Sequence, residues 1–205
     1  ASAILKEALR AYDEALKRNP RAGGTWLARA AAGVSLGYCE RDPLTRCREA
    51  IRDSTEAIKL APNESEAWHR RGLSRLNLVR ADGPDPKADV LEALHDFGAA
   101  IRIDPRNALA HQDLGGVRVN YGLWLSSHRT DPGEWFRTAC ADFDRALAID
   151  PRLEDARLWR FNARRFVAVE TEGAGADAGA WLEGVLEDAP HVLKLRDDAE
   201  THHHV

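Results

Sequence analysis

What most constrains this chain is a proline-bounded segment that recurs at an almost fixed interval. It reads PLTRCREAIRDSTEAIKLAP at 43–62, PKADVLEALHDFGAAIRIDP at 86–105 and PGEWFRTACADFDRALAIDP at 132–151, each copy spanning 19 residues from opening to closing proline. Closing prolines fall at 20, 62, 105 and 151, and more weakly at 190, so the first three intervals are 42, 43 and 46 residues. Self-similarity at a period of this size is the signature of stacked supersecondary units. No such unit hides its apolar face alone, and neighbours bury it jointly.

Between its prolines each copy carries a helical pattern. Counted from the opening proline, the inward positions read Cys47, Ile51, Ser54, Ile58; then Val90, Leu94, Phe97, Ile101; then Phe136, Cys140, Phe143, Leu147. That is the stripe of an amphipathic helix, which needs a neighbour to cover it. The pairs Ala50/Ala57, Ala93/Ala100 and Ala139/Ala146 flank the stripe and allow close helix approach. Asp-Pro opens each copy at 42–43, 85–86 and 131–132. Asp is a good N-cap acceptor, and proline at the first helical position forgoes no hydrogen bond. Less regular helices are predicted between the copies, over 23–39, 65–80, 108–126 and 154–169. A helix over 1–18, with Leu5, Leu9, Tyr12 and Leu16 on one face, precedes them. Turns at 81–84 and 127–130 absorb the length variation. After Glu170 a Gly/Ala-rich loop leads to a short last helix with Trp181, Leu182, Val185 and Leu186, which Pro190 is expected to end.

The fold expected is all-α: a right-handed α-solenoid of antiparallel helix pairs with about nine helices. Its divisions are a half repeat at 1–20, repeats at 21–62, 63–105 and 106–151, a degenerate final repeat at 152–190 and a C-terminal tail at 191–205.

Composition limits the function classes. Net charge is −4, which supplies no basic field for nucleic acid or an anionic membrane surface. No apolar run approaches the roughly 18 residues needed to span a bilayer. The three cysteines, Cys39, Cys47 and Cys140, show no metal-ligand or redox spacing, and so sparse and odd a count suits a reducing, cytoplasmic setting. Tryptophans at 26, 68, 124, 135, 159 and 181 are spread through the array, which suits packing between repeats better than a base-stacking platform.

Together these positions resemble the tetratricopeptide repeat. In that family a large residue opens the first helix, a small one follows four residues later, and Ala-x3-Phe-x2-Ala with a closing proline marks the second. Trp68, Gly72, Ala93, Phe97, Ala100 and Pro105 make the fullest copy. His111, Gly115, Ala139, Phe143, Ala146 and Pro151 make the next, and Trp26, Ala30, Ala50, Ser54, Ala57 and Pro62 the earlier one. Ser54 stands where the family prefers an aromatic, so a packing defect is expected there. The repeats exceed the family's usual length of about 34 residues, which implies lengthened helices around the turn, a type similar to repeats appended to bacterial signalling kinases. Ala1 aligns with the opening proline of a second helix, so an upstream helix or domain is expected.

The resemblance implies a non-enzymatic scaffold that binds a protein or peptide segment on the concave face formed by the first helices, with no cofactor. The alternative it implies is a regulatory or oligomerisation module of a larger multidomain protein such as a signalling enzyme. The concave face should include His69, Arg70, Leu73 and Asn77, then Gln112, Asp113, Val119 and Asn120, then Leu158, Trp159, Asn162 and Arg165. Asn77 and Asn120 occupy equivalent positions, where an amide can bond a ligand backbone. The family's clamp for a C-terminal carboxylate is not expected. Its matching positions are Leu27, Ala31, Arg70, Leu109 and Asp113, of which only Arg70 is basic, and Asp113 repels a carboxylate.

Several other residues invite a chemical reading. Arg29, Arg71 and Arg160 recur one residue before the position that is small in the first helix. They read either as a basic ladder for an acidic partner or, preferably, as side chains paired with Asp or Glu of adjacent helices. Cys47 and Cys140 lie on the inward stripe and read as small buried hydrophobes. Cys39 falls near a turn, where a lone thiol implies no catalysis. His202, His203 and His204, with His191, form a terminal run that reads as an expression remnant rather than a metal site. Asp142/Asp144 and Glu183/Glu187 read as ordinary helix-surface charges. No nucleophile–base pair, phosphate loop or zinc spacing is present, so an enzyme is not expected.

Overall fold

The computed structural model describes residues 2–80 and 86–202, with side chains as far as Lys194. The turn predicted at 81–84, Asp85, the side chain of His202, and His203 and His204 lie outside the described residues. Among those described there are nine helices and no strand. They are α1 (Ser2–Arg18), α2 (Gly23–Glu40), α3 (Pro43–Leu60), α4 (Ser65–Val79), α5 (Lys87–Ile103), α6 (Ala108–Ser127), α7 (Gly133–Ile149), α8 (Glu154–Gly173) and α9 (Gly179–His202). The chain divides into two compact units, one of residues 1–106 and one of residues 107–205. In the first, α1 to α5 pack in sequence and α2 also meets α4; in the second, α6 to α9 pack in sequence and α6 also meets α8.

The start signals act much as their chemistry dictates, with local differences. Asp42 caps α3 through a long bond from the Thr45 N–H, 3.4 Å, and Pro43 takes the first helical position. In α5 and α7 the proline itself occupies the cap, so each helix begins one residue later than predicted. Asp131 still contributes, accepting the Gly133 N–H at 2.8 Å. α2 ends on Arg41 in the left-handed region (φ 59°), and the Asp42 N–H closes onto the Gly37 carbonyl at 2.9 Å. The largest departure is α9, which continues through Pro190 instead of ending there. The carbonyl that forgoes an N–H partner belongs to Leu186, itself exposed, and water can meet it.

Burial follows the aligned stripe. In the first unit Cys47, Leu76, Val90 and Phe97 are wholly inside, and the Phe97 ring lies 3.0 Å from where a Cβ on Gly72 would sit. In the second unit Phe136 and Phe143 fill the core with Val119, Cys140, Leu147 and Val167. Phe143 presses on Gly115 and Phe136 on Gly122. A small residue on one helix thus receives an aromatic from the next. The large residue six positions after three of the closing prolines has its own task. Trp26 Nε1 donates to the Pro20 carbonyl (3.0 Å), Trp68 Nε1 to the Pro62 carbonyl (2.8 Å) and Arg157 Nη2 to the Pro151 carbonyl (2.8 Å). Each bond ties a helix to the turn that precedes it and satisfies a carbonyl of that turn.

Candidate functional site

Two surfaces of the paired helices carry polar groups, and they differ in kind. The first lies between helices and is closed. The Arg29 guanidinium grips Asp53 of α3 with two donors, Nε at 2.9 Å and Nη2 at 2.5 Å, while Nη1 reaches Asp13 of α1 at 2.7 Å. One repeat on, Arg71 repeats the grip on Asp96 of α5 (Nε 2.9 Å, Nη2 2.7 Å) and touches Thr55 Oγ1 of α3 at 3.2 Å. In α8, Arg160 holds Asp188 of α9 the same way (2.9 and 2.5 Å) and reaches Asp144 of α7 at 2.7 Å. These are the recurring arginines of the sequence, and pairing is what they do. Each bolts its own hairpin together and touches the helix before it. Parallel two-point contacts of this kind are the strong form of charge pairing.

A second column stands four residues later. Arg75 donates to Asp96 and, at 2.7 Å, to Glu92; Arg118 donates to Asp142; Arg164 donates to Asp188 at 3.0 Å. The aspartates that receive these arginines are buried, Asp96 completely. Asp142 is therefore not the surface charge that its sequence context suggests, although Asp144 is exposed. Half of this system, the recurring arginines, is legible in the sequence. The other half is visible only as an Asp one residue before each aromatic position, at 53, 96 and 142, a signal that an apolar stripe count passes over.

The second surface is open. A shallow groove of about 190 Å³ runs between α2 and α4, lined by Ala31, Val34, Ser35, Arg70, Leu73 and Asn77, among others. It gathers three of the four residues expected from α4. His69 is not among them: it is buried, its ring tilted against Phe97 at 5.6 Å and its Nδ1 3.8 Å from Glu66. Bonding from His69, with Arg70 adding to it, holds the Glu66 carboxyl well down, at about 2. Arg70 Nε sits 2.5 Å from Glu66, so the rim of the groove carries a paired, half-exposed cation. Asn77 faces the groove and also bonds toward the Cys47 thiol, whose pKa burial raises against that bond.

In the second unit the expected residues disperse. Val119 belongs to the core, and Trp159 packs on it. Asn120 spends its amide N–H on the Gly116 carbonyl of its own helix, at 2.7 Å. Gln112, Asp113, Leu158 and Asn162 are half-buried, and Gln112 Oε1 is buried with no hydrogen-bond partner among the described residues. Arg165 is exposed, its guanidinium 5.6 Å from the centre of the Phe161 ring.

The thiols divide as expected, Cys39 exposed and the other two buried, with burial pushing Cys140 up to about 12. Among the described residues no group of three or more His, Cys, Asp or Glu is placed to hold a metal ion, and no helix is long and apolar enough to cross a membrane.

No family model matches the chain. Over 112 residues, 55% of its length, it is 25% identical to a Hsp70-Hsp90 organizing protein of Triticum aestivum, of which it spans 16%. Solved structures resemble it over nearly all of its length. The thermophilic TPR protein TTC0263 of Thermus thermophilus matches with a TM-score of 0.63 at 21% identity, over 96% of this chain and 89% of that one. MamA matches with a TM-score of 0.62 at 19% identity, over 93% and 91%. YrrB, described as a TPR protein with an unusual peptide-binding site, matches with a TM-score of 0.59 at 17% identity, over 96% and 84%.

Proposed function

We propose, from the premise that this chain has the tetratricopeptide-repeat fold, that it is a non-enzymatic scaffold which takes a segment of a partner protein in the groove between α2 and α4. The observation that carries this reading is the character of that groove. Its floor is apolar, with Ala31, Val34 and Leu73, and its rim offers an amide at Asn77 and a cation at Arg70. An extended peptide needs this combination: apolar contact for its side chains and donors or acceptors for its backbone. At about 190 Å³ the groove is smaller than small-molecule sites, which occupy about 300–1,000 Å³, so a side chain of a longer ligand suits it better. The structural relative described as having a peptide-binding site supports the same reading. Selection from a random peptide library against the chain tests it. Peptides selected on the wild type should lose at least tenfold in affinity on Leu73→Arg and on Asn77→Ala, and equal binding by both variants would refute it.

A second reading, a regulatory or oligomerisation module of a larger protein, draws on exposed apolar residues of α8 and α9. Phe166 and Val169 of α8 and Leu182, Leu186 and Leu193 of α9 are exposed, and exposed apolar residues in number mark interfaces. A concentration-dependent sedimentation coefficient that Leu186→Glu abolishes would favour it.

A further inference from the structure

We propose that the cavity bounded by α1, α2 and α3 is a receptor for an arginine side chain presented by a partner polypeptide. A complete version of the site exists within the chain, in the second repeat. There Asp96 accepts from Arg71 through two donors and from Arg75 through a third, and Arg75 also holds Glu92 at 2.7 Å. The first repeat reproduces the receiving half. Arg29 grips Asp53 as Arg71 grips Asp96, and Glu49 lies four residues before Asp53 as Glu92 does before Asp96. The donor from α2 is missing, and Arg46 of α3 holds Glu49 at 2.8 Å. Four residues after Arg71 stands Arg75, and four after Arg160 stands Arg164, but four after Arg29 stands Gly33.

What opens there is space. A cavity of about 620 Å³ is lined by Gly33, Glu49 and Asp53, and a Cβ built on Gly33 would meet nothing within 4 Å. The volume lies inside the range of ligand sites. Among the described residues, the Asp53 oxygen that matches the one Asp96 offers to Arg75 takes only the Arg29 Nε bond, and a carboxylate oxygen accommodates two. The charges facing the cavity are Asp13, Glu49, Asp53 and Glu56 against Arg29, Arg46 and Arg52, an excess of one negative charge. Arg29 is committed to Asp13 and Asp53, Arg46 to Glu40 and Glu49, and Glu56 to Lys59 of its own helix, so Asp53 is the acceptor on which the site rests. Leu9, Ala30 and Ala50 supply apolar wall along which the alkyl stem of an arginine can lie. A guanidinium fits better than an ammonium, because the forked donors match the two-carboxylate arrangement that the second repeat already uses. The site shares only Ala30 with the α2–α4 groove, and its occupation does not depend on that groove binding anything.

The test is an NMR titration of the full chain, following backbone amides of α2 and α3, with N-acetyl-arginine amide as probe. The comparison ligands are the neutral isostere N-acetyl-citrulline amide, N-acetyl-lysine amide and free arginine. The capped arginine should bind saturably and at least tenfold more tightly than the citrulline compound, with the lysine compound between them. Gly33→Arg, which fills the cavity from within, should abolish the response, and Glu49→Gln should weaken it severalfold. Glu49 is 46% exposed, so that variant keeps the fold even if Gly33→Arg does not. The Asn77→Ala variant should bind the probe unchanged, which separates this site from the groove. Equal binding of the arginine and citrulline compounds, undiminished binding by both site variants, or a response to free arginine alone would overturn the proposal.

Discussion

Removing Asp96 should be among the most costly single changes to the first unit. Its carboxylate is completely buried, and three bonds from two arginines converge on it: the Nε and Nη2 of Arg71 and the Nη1 of Arg75. Those arginine side chains are themselves only 13% and 12% exposed. Truncation to Ala strands two cations in a region with little water, and breaking a buried pair from one side costs about 3–5 kcal/mol. Neither arginine is left wholly alone. Arg71 keeps Thr55 and lies 4.9 Å over the Trp68 ring, and Arg75 keeps Glu92. The lower end of the range, about 3 kcal/mol, is therefore expected for Asp96→Ala. The combination Arg71→Leu, Arg75→Leu and Asp96→Leu should recover most of that loss, because exchanging a whole buried ion network for apolar residues is often neutral or stabilising. The measurement is urea denaturation followed by far-UV circular dichroism, with native-state hydrogen exchange of α4 and α5 amides to localise the effect. A loss below about 1 kcal/mol for the single variant, the value of an exposed pair, would refute the argument that these aspartates anchor the hairpins.

The glycines divide by what surrounds them. Gly98→Ala, in mid-α5 with open space around its Cβ, should stabilise by about 0.5–1 kcal/mol. Gly115→Ala brings a methyl to 2.8 Å from the Phe143 ring and should cost about 1–3 kcal/mol in the same denaturation assay. The thiols give a test free of mutation. In the native protein one of the three, Cys39, should react promptly with a thiol reagent at pH 8. Cys47 and Cys140, buried and with raised pKa values, should appear only on unfolding.

The helices are legible because proline, aspartate and a 3.6-residue stripe each act locally. Trp68, Gly72, Phe97 and Ala100 identify one hairpin of the fold from sequence alone, and the structure packs the Phe97 ring on Gly72 as that pattern requires. Pro190 misleads for a physical reason. Proline removes one helical hydrogen bond and crowds the carbonyl four residues back, and in α9 that carbonyl belongs to exposed Leu186, where water offsets part of the loss. The face of α4 is half legible. Counting along the helix places Arg70, Leu73 and Asn77 in the groove but does not show that His69, one position earlier, turns inward against Phe97. The buried aspartates are illegible for a simpler reason. A charge on an amphipathic helix reads as solvent-facing until the arginine that neutralises it, 24 or 25 residues away in sequence, is placed beside it.

The departures from the repeat pattern gather in one place. Ser54 replaces the aromatic that Phe97 and Phe143 provide, and its hydroxyl is buried without a hydrogen-bond partner among the described residues. Gly33 replaces the arginine that Arg75, Arg118 and Arg164 provide. Both lie in the hairpin of α2 and α3, where the 620 Å³ cavity opens. A buried unpaired hydroxyl and an unfilled cavity each cost stability, on the order of 1–3 kcal/mol for the hydroxyl alone. In the same hairpin Arg29 keeps the two-donor grip on Asp53 that Arg71 makes on Asp96, and it also reaches Asp13 of α1. Asp53 is thus buried and matched by Arg29, with one oxygen still able to accept a further bond. Local rules broken beside a polar arrangement left intact are what a binding site imposes on a scaffold, and here the break lies where a guanidinium from outside the chain completes the set.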